Sequence, residues 1–159
     1  GISILAYLTC FCQAIVRGGS MMPSIANGDR ILIDHLSYLF YGPEHGDIVV
    51  FDYPLNPSIS YIKRVVGLPG DTVAMCDGRL FVNGEELVEP YVGEADPNAY
   101  VDLVVKPAHY FVLGDNRSRS CDSREFGLVP RDYILGEVEL RVWPPERFGW
   151  IGREVHAAR

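Results

Sequence analysis

Tyr61-Ile62-Lys63-Arg64-Val65-Val66-Gly67-Leu68-Pro69-Gly70-Asp71 carries the pattern on which the class of fold turns. Along 61–66, a strand puts Tyr61, Lys63 and Val65 on one face and Ile62, Arg64 and Val66 on the other. The Gly67–Gly70 run then ends the strand in a turn. Outward from this stretch, the period after residue 17 stays close to two rather than 3.6. It predicts strands at 30–34, 47–52, 72–76, 80–82, 86–88, 103–105, 110–113 and 135–142. Asn83-Gly84 separates two of these runs and is a hairpin signal, because both residues of such a turn need positive φ. Residues 36–41 read as a short helical turn, and 72–107 as an excursion of hairpins ending in an acidic, Pro-punctuated loop or flap. The fold class expected is mainly β, in one domain over 17–159.

Composition agrees and excludes other classes. With 159 residues, 48% apolar and 22% charged, the chain has the make-up of a globular domain with a real core. A net charge of −7 with no basic run argues against nucleic acid as a partner, because phosphate neutralisation needs clustered cations. Sixteen glycines and eleven prolines suit many short strands and turns. Residues 1–16, GISILAYLTCFCQAIV, carry no charge. As a helix they would reach about 24 Å, short of a hydrocarbon core of roughly 30 Å. They are read as the end of a membrane-anchor helix, with a buried core helix and a secretory apolar region as alternatives. The bilayer is then a partner.

Three segments carry chemistry. Gly18-Gly19-Ser20-Met21-Met22-Pro23-Ser24 can hold a serine hydroxyl on a fixed loop, since glycine lets backbone approach a partner closely; it also reads as a plain linker. Lys63 and Lys106 are the only lysines among 14 basic residues. Lys63 stands between apolar neighbours on its strand face. Burial favours the neutral amine and lowers its pKa, and a neutral lysine can accept the proton of a serine hydroxyl. The bland alternative is a lysine snorkelling into water. The third segment, Gly114 to Gly127 (GDNRSRSCDSREFG), is dense in hydrogen-bonding groups after a hydrophobic strand and suits a loop that supports a site. It lacks Ca²⁺-loop spacing, because positions three and twelve counted from Asp115 are Arg117 and Phe126. His35, His45, His109 and His156 have no ligand spacing, so no metal is expected, and chemistry carried by a serine and a neutral lysine needs no organic cofactor.

In order and spacing, Ser20–Ser24, the turn and strand at 46–51, YIKRVVGLPGD and GDNRSRSCDSREFG resemble the sequence boxes of type I signal peptidases. The likeness extends over nearly the whole chain. It implies a membrane-anchored serine endopeptidase of β fold that removes signal peptides from exported preproteins after Ala-x-Ala, with its catalytic domain outside the cytoplasm. It implies Ser20 as nucleophile and Lys63 as general base. Ser120 would orient the lysine amine, with Asp122 and Arg124 as a supporting pair. Met21, Ile25, Tyr61 and Ile62 would form shallow pockets for small substrate side chains. Some members carry a hydroxyl residue where this chain has Gly18, so the oxyanion would rest here on backbone N–H groups, that of Ser20 included. Another Ser-Lys peptidase, or a silent peptide-binding domain, remains the alternative. Cys76 and Cys121 could pair if the domain is extracytoplasmic, but pairing is not legible from sequence.

Overall fold

The computed structural model describes residues 11–93, 95–151 and 156–157. Its elements are β1 (Phe11–Ile15), β2 (Arg30–Asp34), β3 (Ile48–Tyr53), β4 (Asn56–Gly67), β5 (Thr72–Cys76), β6 (Arg79–Val82), β7 (Glu85–Val88), β8 (Val101–Val104), β9 (His109–Leu113), α1 (Ser123–Phe126), β10 (Val129–Pro130), β11 (Ile134–Trp143), β12 (Gly149–Trp150) and β13 (His156–Ala157), with a few single 3₁₀ turns between them. The larger sheet runs β1-β2-β11-β3-β4-β9-β10, with β12 on β11; the smaller runs β13-β7-β6-β5-β8.

The predicted strands are present, with ends shifted by a residue or two, and β4 is longer than expected because its first half continues the hairpin with β3. Asn83-Gly84 forms the expected two-residue turn, with φ of 52° and 82°. Asp77-Gly78 makes a second one between β5 and β6, at φ of 52° and 77°, a signal of the same kind that the sequence reading passed over. The smaller sheet packs Val73, Met75, Leu80 and Val82 against Val66, Phe111 and Leu113 of the larger one. The excursion at 72–107 is thereby tied to β4 and β9 by a shared apolar core.

One expectation is corrected. Phe11–Ile15 is a strand, not the end of a membrane helix: β1 pairs antiparallel with β2, Phe11 opposite Asp34 and Ile15 opposite Arg30. An uninterrupted apolar run has no period that separates helix from strand, and here the open edge of β2 supplies ladder partners that a helix would leave unused. Residues 1–10 of the expected anchor lie outside the described residues. Among the described residues no helix is long and apolar enough to cross a membrane. Cys76 and Cys121 are both free thiols.

Candidate active site

The Ser20 loop begins where β1 ends. Val16 N–H donates to Asp29 O and Gly28 N–H to Val16 O, each at 2.8 Å, which closes the loop at its base. Gly18 turns the chain at φ +87°, a conformation that favours glycine, and its N–H donates to Asn27 Oδ1 at 2.8 Å. The far side of the loop is held by the 114–127 segment. Asn116 N–H donates to Ser20 O at 2.9 Å, and Asn116 Nδ2 donates to Gly19 O at 3.0 Å. Met21 and Ile25 anchor the loop in the core with Val16, Ile31 and Ile33. Ser20 is thus fixed from two directions.

Lys63 sits on β4 opposite Val49 of β3 and is only 4% exposed. Its Nζ donates to Ser20 Oγ at 2.9 Å and to the carbonyl of Ile62 at 3.0 Å. Burial is the main influence on the amine and lowers its pKa from 10.5 to about 8; Asp122, Cys121 and Asp115 oppose the shift without cancelling it. The arrangement holds an amine, much of it neutral near pH 8, against one hydroxyl.

Of the supporting residues, Asp122 and Arg124 meet. Arg124 Nε and Nη2 donate to Asp122 Oδ1 and Oδ2, each at 2.8 Å. Asp122 also caps α1 and accepts from Gly114 N–H at 3.0 Å, fixing the segment that carries Asn116. Ser120 Oγ is buried with no hydrogen-bond partner, and the Lys63 amine donates to Ser20 Oγ and the Ile62 carbonyl.

A groove of about 610 Å³ opens beside the pair, between 14–20 and 59–63. Tyr61 and Ile62 line it, together with Ala14, Ile31, Ile33 and Val50. Met21 and Ile25 do not reach its surface; at 1% and 0% exposure they are core residues supporting the loop. Among the described residues no group of His, Cys, Asp or Glu could hold a metal ion.

Sequence reasoning missed a second polar layer. Arg64, 1% exposed, donates from Nε and Nη2 to Asp115 Oδ1 and Oδ2 at 2.8 and 2.7 Å, and from Nη1 to Gly46 O at 3.0 Å. Ser24 Oγ donates to the same carboxylate at 2.6 Å. The Arg64 guanidinium lies 3.8 Å above the Tyr91 ring, whose hydroxyl donates to Glu89. Glu89 in turn receives a two-pronged pair from Arg117. The 89–91 stretch therefore ties the excursion to the residue beside Lys63. The density of charged residues in 114–127 hinted at Asp115 and Arg117; nothing local marked Glu89 or Tyr91.

Comparison with known proteins accords with this geometry. A family model described as signal peptidase, peptidase S26, matches residues 1–143. The signal peptidase I of Leptolyngbya laminosa is 40% identical over 141 residues, covering 84% of this chain and 69% of that one. The signal peptidase I of Bacillus caldolyticus is 38% identical over 157 residues, covering 90% and 85%. A crystal structure of a signal peptidase I from Enterococcus faecalis superimposes with a TM-score of 0.52 at 36% identity, over 60% of this chain and 95% of that one.

Proposed function

The chain belongs to the signal peptidase family, peptidase S26, and is a serine endopeptidase that cleaves signal peptides; within that activity we propose that Ser20 is the nucleophile and Lys63 its general base. The observation that carries the assignment is the 2.9 Å contact between Lys63 Nζ and Ser20 Oγ inside a buried setting.

In the proposed sequence, neutral Lys63 accepts the Ser20 proton as Oγ attacks the scissile carbonyl. Backbone N–H groups, Ser20's among them, receive the oxyanion; one such donor is worth on the order of 10²–10³ in rate. The ammonium then protonates the leaving amine, and the acyl-enzyme remains. Lys63, neutral again, takes a proton from water, which attacks the ester and frees Ser20. No step calls for a metal or an organic cofactor. Asp122 and Arg124 act through the 114–122 backbone that holds the Ser20 loop.

The substrate lies extended in the groove beside Tyr61 and Ile62, alternate side chains facing its apolar lining, and small residues precede the cut. Bacterial signal peptidases I are membrane-associated. The catalytic domain of this chain faces the extracytoplasmic side, and the shared bilayer raises the effective concentration of tethered preprotein. The test is cleavage of a synthetic Ala-x-Ala peptide, combined with adduct mapping after a serine-directed acylating agent. Cleavage that disappears in Ser20→Ala, with the acyl group found on Ser20, is the expected result. Persistent cleavage in that variant or in Lys63→Met would sink the assignment.

A further inference from the structure

Cys12 and His35 stand outside the Ser20–Lys63 pair, and the reaction above uses neither. Cys12 Sγ lies 3.1 Å from His35 Nε2, and His35 Nδ1 lies 2.8 Å from the carbonyl oxygen of Leu135. A carbonyl can only accept, so Nδ1 carries the proton of the neutral ring and Nε2 turns its lone pair to the thiol. A nucleophile, a base within hydrogen-bond reach and a third group orienting the base make up an activated nucleophile. Cys12 is exposed, so a reagent can reach it.

The other described thiols are set differently. Cys76 Sγ donates to Asp77 Oδ2 at 3.5 Å, and that bond pushes its pKa up. Burial and a hydrogen bond to Glu125 push Cys121 up. The proton is held on both, by a carboxylate at Cys76 and by burial first and a carboxylate second at Cys121. Only Cys12, among the described cysteines, faces an imidazole.

Strand register gives the pair its location. Cys12 is opposite Ile33 and Ala14 opposite Ile31. Opposite residues share a face and faces alternate along a strand, so Cys12, Ala14, Ile31 and Ile33 lie on one face, and His35, just past the end of β2, meets Cys12 there. Ala14, Ile31 and Ile33 line the groove. The thiol and imidazole are therefore the next step along the same face, at the opposite end of β1 from Ser20.

We propose that Cys12 and His35 form a thiol–disulfide exchange site at the end of the peptide groove, taking low-molecular-weight disulfides. His35 Nε2 accepts the Cys12 proton as Sγ attacks one sulfur of the disulfide. The S–S bond of the reagent breaks, a Cys12 mixed disulfide forms, and the imidazolium returns the proton to the departing thiolate. The disulfide is the only oxidant required. The thiol chemistry is independent of the proposed function; only the link to the groove rests on it.

Oxidised glutathione is added to the full chain carrying Cys10→Ser, and adducts are located over time by peptide mass mapping. Cys12 should be modified at least about tenfold faster than Cys76 or Cys121 near neutral pH, and His35→Phe should remove that advantage. Equal rates at Cys12 and Cys76, or a Cys12 rate unchanged in a natively folded His35→Phe chain, overturn the proposal. These rates remain readable even in a chain that cleaves no peptide. In a chain also carrying Cys76→Ser and Cys121→Ser, the Cys12 adduct should raise the peptide KM at least about threefold with kcat unchanged. An unchanged KM overturns the placement at the groove.

Discussion

Arg64 and Asp115 form a two-pronged ion pair at 1% and 0% side-chain exposure, one residue from Lys63 in sequence and one from Asn116, which holds the Ser20 loop. Charges this far from water are tolerated when most of their lone pairs and protons are matched, and here Ser24 and the Gly46 carbonyl add to the matching. The pair joins the base strand to the segment that positions the nucleophile. Removing one partner leaves the other charge buried and bare. Asp115→Ala should therefore lower unfolding stability by about 3–5 kcal/mol, measured by urea denaturation. Arg64→Met combined with Asp115→Leu should recover much of that loss, since neither charge is then stranded.

Lys63 itself should destabilise the fold in a pH-dependent way. Its pKa is lowered from 10.5 to about 8 by burial, so between those values the unfolded chain holds a proton that the folded chain does not. Stability from this group therefore rises with pH through that window. Below about pH 8 its full cost is present, on the order of 3 kcal/mol from 1.36 kcal/mol per unit. Lys63→Met should be inactive yet more stable than wild type at pH 7, with the gap closing toward pH 10.5. The difference between the two chains is the quantity to measure. Glu137 also titrates abnormally: burial, with Asp47 and Glu139 nearby, raises its pKa. Its contribution is lost as pH rises from the ordinary glutamate range, and it cancels in the subtraction.

Activity should follow the same amine. If Lys63 must be neutral to accept the Ser20 proton, kcat/KM for an Ala-x-Ala peptide should climb tenfold per pH unit below the free-enzyme pKa and level off above about 8. Peptide assays from pH 6 to 10, with unfolding checked at each point, decide it. A flat profile across pH 7–9 would contradict the role given to Lys63.

What could be seen in the sequence divides along physical lines. Strands whose residues alternate, such as β2 and β5, or whose turns demand positive φ, such as Asn83-Gly84, were legible because the signal is local. β1 was not: its apolar run is read as a strand only when the edge of β2 is beside it. β4 hid its setting for a related reason. Lys63, Arg64, Val65 and Val66 are all buried, because sheet neighbours and the excursion cover both faces, so alternation there says nothing about exposure. Ser20 and Lys63 were legible as residue types suited to each other, while their 2.9 Å contact depends on pairings forty-three residues apart. Tyr91 over Arg64 and Glu89 on Arg117 come from a segment that looked like a loop, and only tertiary packing gives them partners. The unbonded hydroxyl of Ser120 belongs to the same class.

Gly114 provides the sharpest geometric test of the site. A Cβ added there would lie 2.0 Å from Ser120 Oγ, 2.5 Å from Ser120 Cβ and 2.7 Å from the carbonyl oxygen of Ser20. A flexible side-chain tip could swing away, but the Ser20 carbonyl is backbone held by Asn116 N–H at 2.9 Å and cannot move without carrying the nucleophile with it. Gly114→Ala should cost roughly 1–3 kcal/mol or more from overpacking and should also displace Ser20 from Lys63. Adding Ser120→Gly removes two of the three clashes and should restore part of the stability, because the Ser120 side chain is then gone. It leaves the clash with Ser20 O in place, so peptide cleavage should stay at least about a hundredfold down, since a misplacement of about 1 Å is worth that much. Thermal unfolding and kcat/KM measured on the single and double variants separate the two effects. Recovery of activity in step with stability would mean that the Ser20 backbone yields freely and that the close approach of Gly114 does not set the position of the nucleophile.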